Sequence, residues 1–221
     1  MRDNLEDFNI KTIAPWMTDI WLDSIPITHL YMPSMKNYCL SEFAFFLIDD
    51  EWDVQSLTNL KHKTGAAFLF GLQTTSKRVD KLDVVDGIIV CKPDEVKQVM
   101  EVSEVMSSRK DNLIHTDFDV IRQALQFTKP AQFIQATTVG TDKLERAERA
   151  INQIISQIPQ DINMNVLILR IKADGELSLE EYFVISEAIE SIVTDDTSIW
   201  YGNGLTNVSN CCLVEAIYMV K

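Results

Sequence analysis

Three short runs of uninterrupted apolar residues limit what this chain can become more than any other feature: Phe43 to Ile48, Ala66 to Phe70 and Ile88 to Cys91. A strand that is apolar on both sides of its pleat has to be covered on both faces, the pattern of a parallel sheet flanked by helices. The intervening segments supply the helices. Asp53 is placed to cap one with Val54, Leu57 and Leu60 turned inward, and Lys61, His62 and Lys63 ahead of Gly65 close it. Upstream, Ile10 to Ala14 reads as a strand, Trp16 to Ile25 as a helix stopped by Pro26, and Ile27 to Met32 as a further strand. Strand, helix, strand in repetition predicts right-handed crossovers and a mostly parallel sheet over residues 1–91.

Residues 92–127 predict a helix, a short loop and a second helix that join two differently built halves. Pro93 falls at a first helical position, and Asp94 and Glu95 put negative charge in the first turn. Val96, Val99, Met100, Val102, Val105 and Met106 then form one apolar face, with Lys97, Glu101 and Glu104 on the polar one. The loop runs from Asn112 to Asp119, and Thr116 or Asp117 is a natural N-cap for a helix carrying Val120, Ile121, Ala124 and Leu125.

Residues 128–221 read as βαβαββ, an α+β half with both helices on one face of four strands. Gln132 to Val139 is its first strand. Leu144, Ala147, Ile151, Ile154, Ile155 and Ile158 make the apolar stripe of a helix closed by Pro159. Asn165 to Lys172 is a strand, and Asp174-Gly175 a turn. Ser178 and Glu181 have capping-box spacing for a helix that buries Tyr182, Ile185, Ala188, Ile189, Ile192 and Val193. Ser198 to Tyr201 predicts a strand, Gly202-Asn203-Gly204 the opening of a loop, and Cys211 to Val220 the last strand.

Lys and Arg number 20 against 33 Asp and Glu, a net charge of −13, which argues against nucleic acid and anionic membrane surfaces as partners. No uncharged apolar stretch approaches bilayer length, and the opening Met1-Arg2-Asp3-Asn4-Leu5 does not have the form of a secretion signal. A cytoplasmic protein is expected. Cys39, Cys91, Cys211 and Cys212 lack C-x-x-C spacing and are expected as buried free thiols. His29, His62 and His115 are scattered, so no metal site is expected. The four carboxylates in the run Asp49, Asp50, Glu51, Trp52 and Asp53 lack the spaced oxygens and turn glycine of a calcium loop and read as a solvated helix start. Thr74 to Arg78 reads as a surface turn, with contact to phosphate as its sharper alternative. Trp16, Trp21, Trp52 and Trp200 are expected as core or interface anchors.

Several segments, in this order, resemble the tubulin superfamily, and bacterial FtsZ more than eukaryotic tubulin. They are Leu113 to Phe118 running into Arg122, Gly140 to Ile151, Asn165 to Ile168, Leu177 to Glu181, and Thr194 to Gly202. Asn9 to Ile13 and Phe43 to Ile48 look like two strands of that family's nucleotide half. The resemblance implies a shortened, Rossmann-like α/β half joined by a central helix to an α+β half. It also implies a setting in which relatives bind GTP, polymerise head to tail, and use acids of the central loop to activate water at a neighbour's nucleotide.

Carried over residue by residue, the nucleotide chemistry is mostly missing. The phosphate loop should follow Phe43 to Ile48, where carboxylates replace glycines, and Ala14-Pro15-Trp16 stands where the family has consecutive glycines. Two like charges about 4 Å apart repel by roughly 4 kcal/mol at an effective dielectric of about 20. In the central loop Asp117 matches the first of two catalytic acids, but the second falls on Val120, Asp119 sits one residue early, and His115 replaces Asn. The connecting helix is shorter than the family's. No catalytic set is complete: Asp117, Asp119 and His115 are the candidates that remain. No cofactor-binding or metal residue is expected, and neither GTP nor Mg²⁺ as a cofactor. The expectation is a degenerate GTPase that works through a protein partner or self-association, with a place in cell division implied by the resemblance. A divergent GTP-binding protein and an unrelated small-molecule enzyme are the alternatives.

Overall fold

The computed structural model describes residues 25–49, 51–75, 83–107, 118–125, 129–160 and 162–221. The strand expected over Ile10 to Ala14 and residues 16–24 of the expected helix lie outside them, and with that helix Trp16 and Trp21.

The first described strands are β1 (Thr28–Tyr31) and β2 (Phe43–Leu47). Helix α1 (Val54–Thr64) follows, then β3 (Phe68–Gln73) and β4 (Gly87–Val90). All four strands are parallel neighbours in chain order. Helix α1 begins where the sequence places it: Asp53 and Ser56 form a reciprocal capping box, and Gly65 ends it in the left-handed conformation at φ 60°. Leu57 and Leu60 are buried, but Val54 is 56% exposed, because at the first helical position it turns away from the sheet. Strand β3 starts two residues later than the apolar run and continues to Gln73.

A 3-10 turn (Pro93–Glu95) leads into the central helix α2 (Val96–Ser103), which tightens into a second 3-10 turn (Glu104–Met106). Helix α3 (Phe118–Ala124) precedes β5 (Ala131–Val139). The remainder is α4 (Lys143–Gln157), β6 (Met164–Ala173), α5 (Leu179–Glu190), β7 (Ser198–Leu205) and β8 (Cys211–Val220). This is the βαβαββ order, with both helices on one face.

One sheet of eight strands runs through the molecule in the order β1-β2-β3-β4-β5-β8-β6-β7. Strand β5 continues the parallel set through two register pairs, Ile89 with Ala131 and Val90 with Gln132. Strand β8 is antiparallel to both β5 and β6, and β7 is parallel to β6 at the far edge. One face carries a core shared by both halves, in which Phe45, Phe68 and Phe70 pack with Val99 and Val102 of α2, Ile121 of α3, and Ile168, Trp200 and Ile217. On the other face α1 covers the first half, and α4 and α5 cover the second.

Three further expectations are corrected. Leu144 is 42% exposed, and Arg146, 1% exposed, takes the buried place, held by Asp174 and the Gly140 carbonyl. Gly202 and Gly204 belong to β7 rather than to a loop: a Cβ on Gly202 would lie 2.4 Å from Val105 Cγ2, so the glycine is what lets the turn after α2 sit on the sheet. Cys39 is exposed, whereas the other three cysteines are buried.

Candidate functional site

In open α/β sheets, ligands bind beyond the carboxyl ends of the parallel strands, where helix-starting amides point outward. Beyond β2 several of these amides are occupied by the chain's own side chains. Asp49 Oδ1 accepts the Glu51 amide at 2.9 Å, and Asp53 Oδ1 accepts the Ser56 amide at 2.7 Å. The Asp53 amide donates to Ser56 Oγ at 3.0 Å, and the Leu57 amide to the Asp53 carbonyl at 3.0 Å. The Ser56 amide, with its hydroxyl, holds the exposed Asp53 carboxyl below its ordinary range. Trp52 lies edge-on to Phe46, with ring centroids 5.6 Å apart, and anchors the turn to the core.

The same closure recurs beyond β4. Glu95 Oε2 accepts the Lys92 amide at 2.8 Å, and its Oε1 accepts Lys92 Nζ at 3.2 Å and Gln135 Nε2 at 3.1 Å. Burial opposes ionisation of Glu95, but these donors outweigh it and hold the carboxyl below its usual range. Burial, with Glu95 and Asp94 adding to it, pushes the adjacent Cys91 thiol up to about 11, so it is no nucleophile at neutral pH.

The polar face of α2 carries a second cluster. Glu101 Oε2 accepts Arg170 Nη2 at 2.5 Å and Lys172 Nζ at 3.0 Å, and Arg170 Nε donates to Glu215 Oε2 at 2.8 Å. Glu215 is fully buried, and its other oxygen has no partner among the described residues. Desolvation raises the Glu101 pKa, but the two cations prevail and bring it to about 2. The cluster clamps α2 onto β6 and β8, with Arg170 and Lys172 both turned to carboxylates of the chain itself.

No known family profile matches the sequence, and no curated protein matches it. Comparison of folds is decisive. A W319Y mutant of FtsZ from M. jannaschii superposes with a TM-score of 0.57 at 16% identity, over 82% of this chain and 65% of the FtsZ chain. CetZ from Methanosaeta thermophila gives a TM-score of 0.53 at 11% identity, over 81% of this chain and 61% of CetZ. This chain has the fold of the tubulin/FtsZ superfamily. An empty FtsZ dimer from M. jannaschii gives a TM-score of 0.51 at 14% identity, over 81% and 62% of the two chains. The chain thus spans less than two thirds of the length of these FtsZ and CetZ chains.

Within this FtsZ-like fold, Asp117 and His115 lie outside the described residues, and Asp119 falls in the first turn of α3. Of the acidic run, Asp49, Glu51 and Asp53 are brought together at the β2–α1 turn, and Asp50 lies outside the described residues. Of the Thr74 to Arg78 segment only Thr74 and Thr75 are described, and the Thr75 carbonyl accepts Gln73 Nε2 at 3.2 Å. Among the described residues no group of three or more His, Cys, Asp or Glu is arranged to hold a metal ion. No described helix is long and apolar enough to cross a membrane.

Sequence reading misses the Glu101–Arg170–Glu215–Lys172 cluster. Its signal is nonetheless present: Arg170 and Lys172 are two apart in a strand otherwise apolar from Val166 to Ala173, which puts both charges on one face of a buried sheet.

Proposed function

We propose that this is an FtsZ-like protein that neither binds nor hydrolyses GTP and that acts through protein contacts, by self-association or by binding an assembling relative. The observation that carries the reading is the β2–α1 turn. A triphosphate needs free amides there, and the amides of Glu51, Asp53 and Ser56 are already bonded to Asp49, Ser56 and Asp53 side chains. Binding would have to displace carboxylates and then sit among them. The apolar exposure at the other end of the molecule supports the contact role: Leu179, Phe183, Leu205 and Val208 are each more than half exposed. A place in cell division is the cellular setting that accompanies this reading.

Two measurements on the full chain test it. Calorimetric titration with GTP and Mg²⁺ is expected to give no binding heat at millimolar nucleotide; a saturable isotherm contradicts the non-binding half. Sedimentation equilibrium is expected to show a mass that rises with concentration, or a complex with an added FtsZ-type protein. A monomer that ignores both contradicts the contact half.

A further inference from the structure

Among the described residues the outer edge of β7 is open. Strand β7 has β6 on one side and no described strand on the other. The Thr206 amide donates to the Ala173 carbonyl at 2.8 Å, which fixes the alternation: even-numbered residues bond inward to β6. Ile199, Tyr201, Asn203 and Leu205 therefore turn their amides and carbonyls outward, where no described residue meets them.

Natural edges are guarded by lysines, prolines, bulges or brevity. This edge is eight residues long and has none of those devices. It also contains no charged residue, in a chain whose net charge is −13. Beside it, Tyr182 of α5 packs on Tyr201 with ring centroids 5.6 Å apart. At 100° per residue, Leu179 and Phe183 lie further round α5 on that same flank. They are 89% and 63% exposed, and Leu205 at the strand's end is 71% exposed.

We infer, building on the contact role proposed above, that β7 pairs with β7 of a second copy, antiparallel and around a two-fold axis through Gly202. In this register Ile199 faces Leu205 of the second copy and Tyr201 faces Asn203. These are the outward-turned residues, so the pairing closes about eight backbone hydrogen bonds. Trp200 falls opposite Gly204, leaving room for the indole. The two-fold axis makes the strand its own complement, and the cross-strand pairs it creates carry no like charges.

The test combines sedimentation equilibrium with amide hydrogen exchange on the full chain. The unmodified protein is expected to dimerise, and the amides of Ile199, Tyr201, Asn203 and Leu205 are expected to gain protection as concentration rises. Asn203→Pro removes an outward amide without touching the β6 ladder, and Leu205→Lys places like charges at the contact. Each is expected to weaken the dimer at least about tenfold. If a variant loses its native circular dichroism, exchange in the unmodified chain decides alone. A dimer whose four amides exchange at the monomer rate overturns this surface but leaves the contact role standing. Protection that appears only when an unlike protein is added overturns the second copy as occupant. A strictly monomeric chain without an FtsZ-type partner overturns both.

Discussion

The β2–α1 turn and the β7 edge treat the same chemical group in opposite ways. At the turn, the amides of Glu51, Asp53 and Ser56 are each taken by a side chain two or three residues away. At the edge, four alternate residues leave theirs without a partner among the described residues. Short-range capping by Asp and Ser stabilises a helix start and removes it as an anion site. An open strand satisfies its amides only through another strand or through water. Under the proposed function, this FtsZ-like fold keeps its open hydrogen-bonding capacity for chain-to-chain contact rather than for a ligand.

The largest effect expected tests whether the two regions share one cooperative core. Phe70 is 2% exposed and packs with Phe43, Phe45 and Phe68 in the cluster that also holds Ile168 and Trp200. Phe70→Ala should cost about 3–5 kcal/mol and lower the urea midpoint of both halves together. Two separated transitions would divide the comparison into independent units.

Gly202→Ala comes next. Its Cβ would meet Val105 Cγ2 at 2.4 Å, so the turn after α2 must move off β7. A loss of about 1–3 kcal/mol by urea unfolding is expected. Asp53→Ala removes the cap that closes the β2–α1 turn and should cost about 1 kcal/mol. It should not create nucleotide binding, because Asp49 still holds the Glu51 amide.

The last effect, read as a slope against pH rather than as a loss at neutral pH, belongs to the clamp on α2. The Glu101 pKa is depressed from the ordinary 4.5 to about 2 in the folded chain, so its contribution is present above the ordinary value and is lost as pH falls through the folded one. Glu101→Gln should flatten the stability profile over that window, read as melting temperature against pH. An unchanged slope would place the acid sensitivity elsewhere.

Much of this fold is legible in the residues. The apolar runs mark β2 and β4, Pro93 and the Ser178–Glu181 box mark helix starts, and the alternation of strands and helices implies a mostly parallel sheet. Strand order is not legible, because β8 inserts between β5 and β6 through contacts far apart in sequence. Gly202 misleads because glycine signals a turn by its freedom and a close approach by its size, and only the position of Val105 decides between them. For the candidate site, the carboxylates are visible as residues. Their bonds to particular amides are not, since these depend on the angle at which β2 delivers the chain into α1.

The most direct test of the closed turn is the melting temperature of the full chain with and without millimolar GTP and Mg²⁺. A ligand at a hundred times its Kd adds about 2.7 kcal/mol. For a chain of this size that is a rise of several degrees, at about 2–4 °C per kcal/mol. Superimposable melting curves are the predicted result; a concentration-dependent rise with GTP would contradict the closed turn.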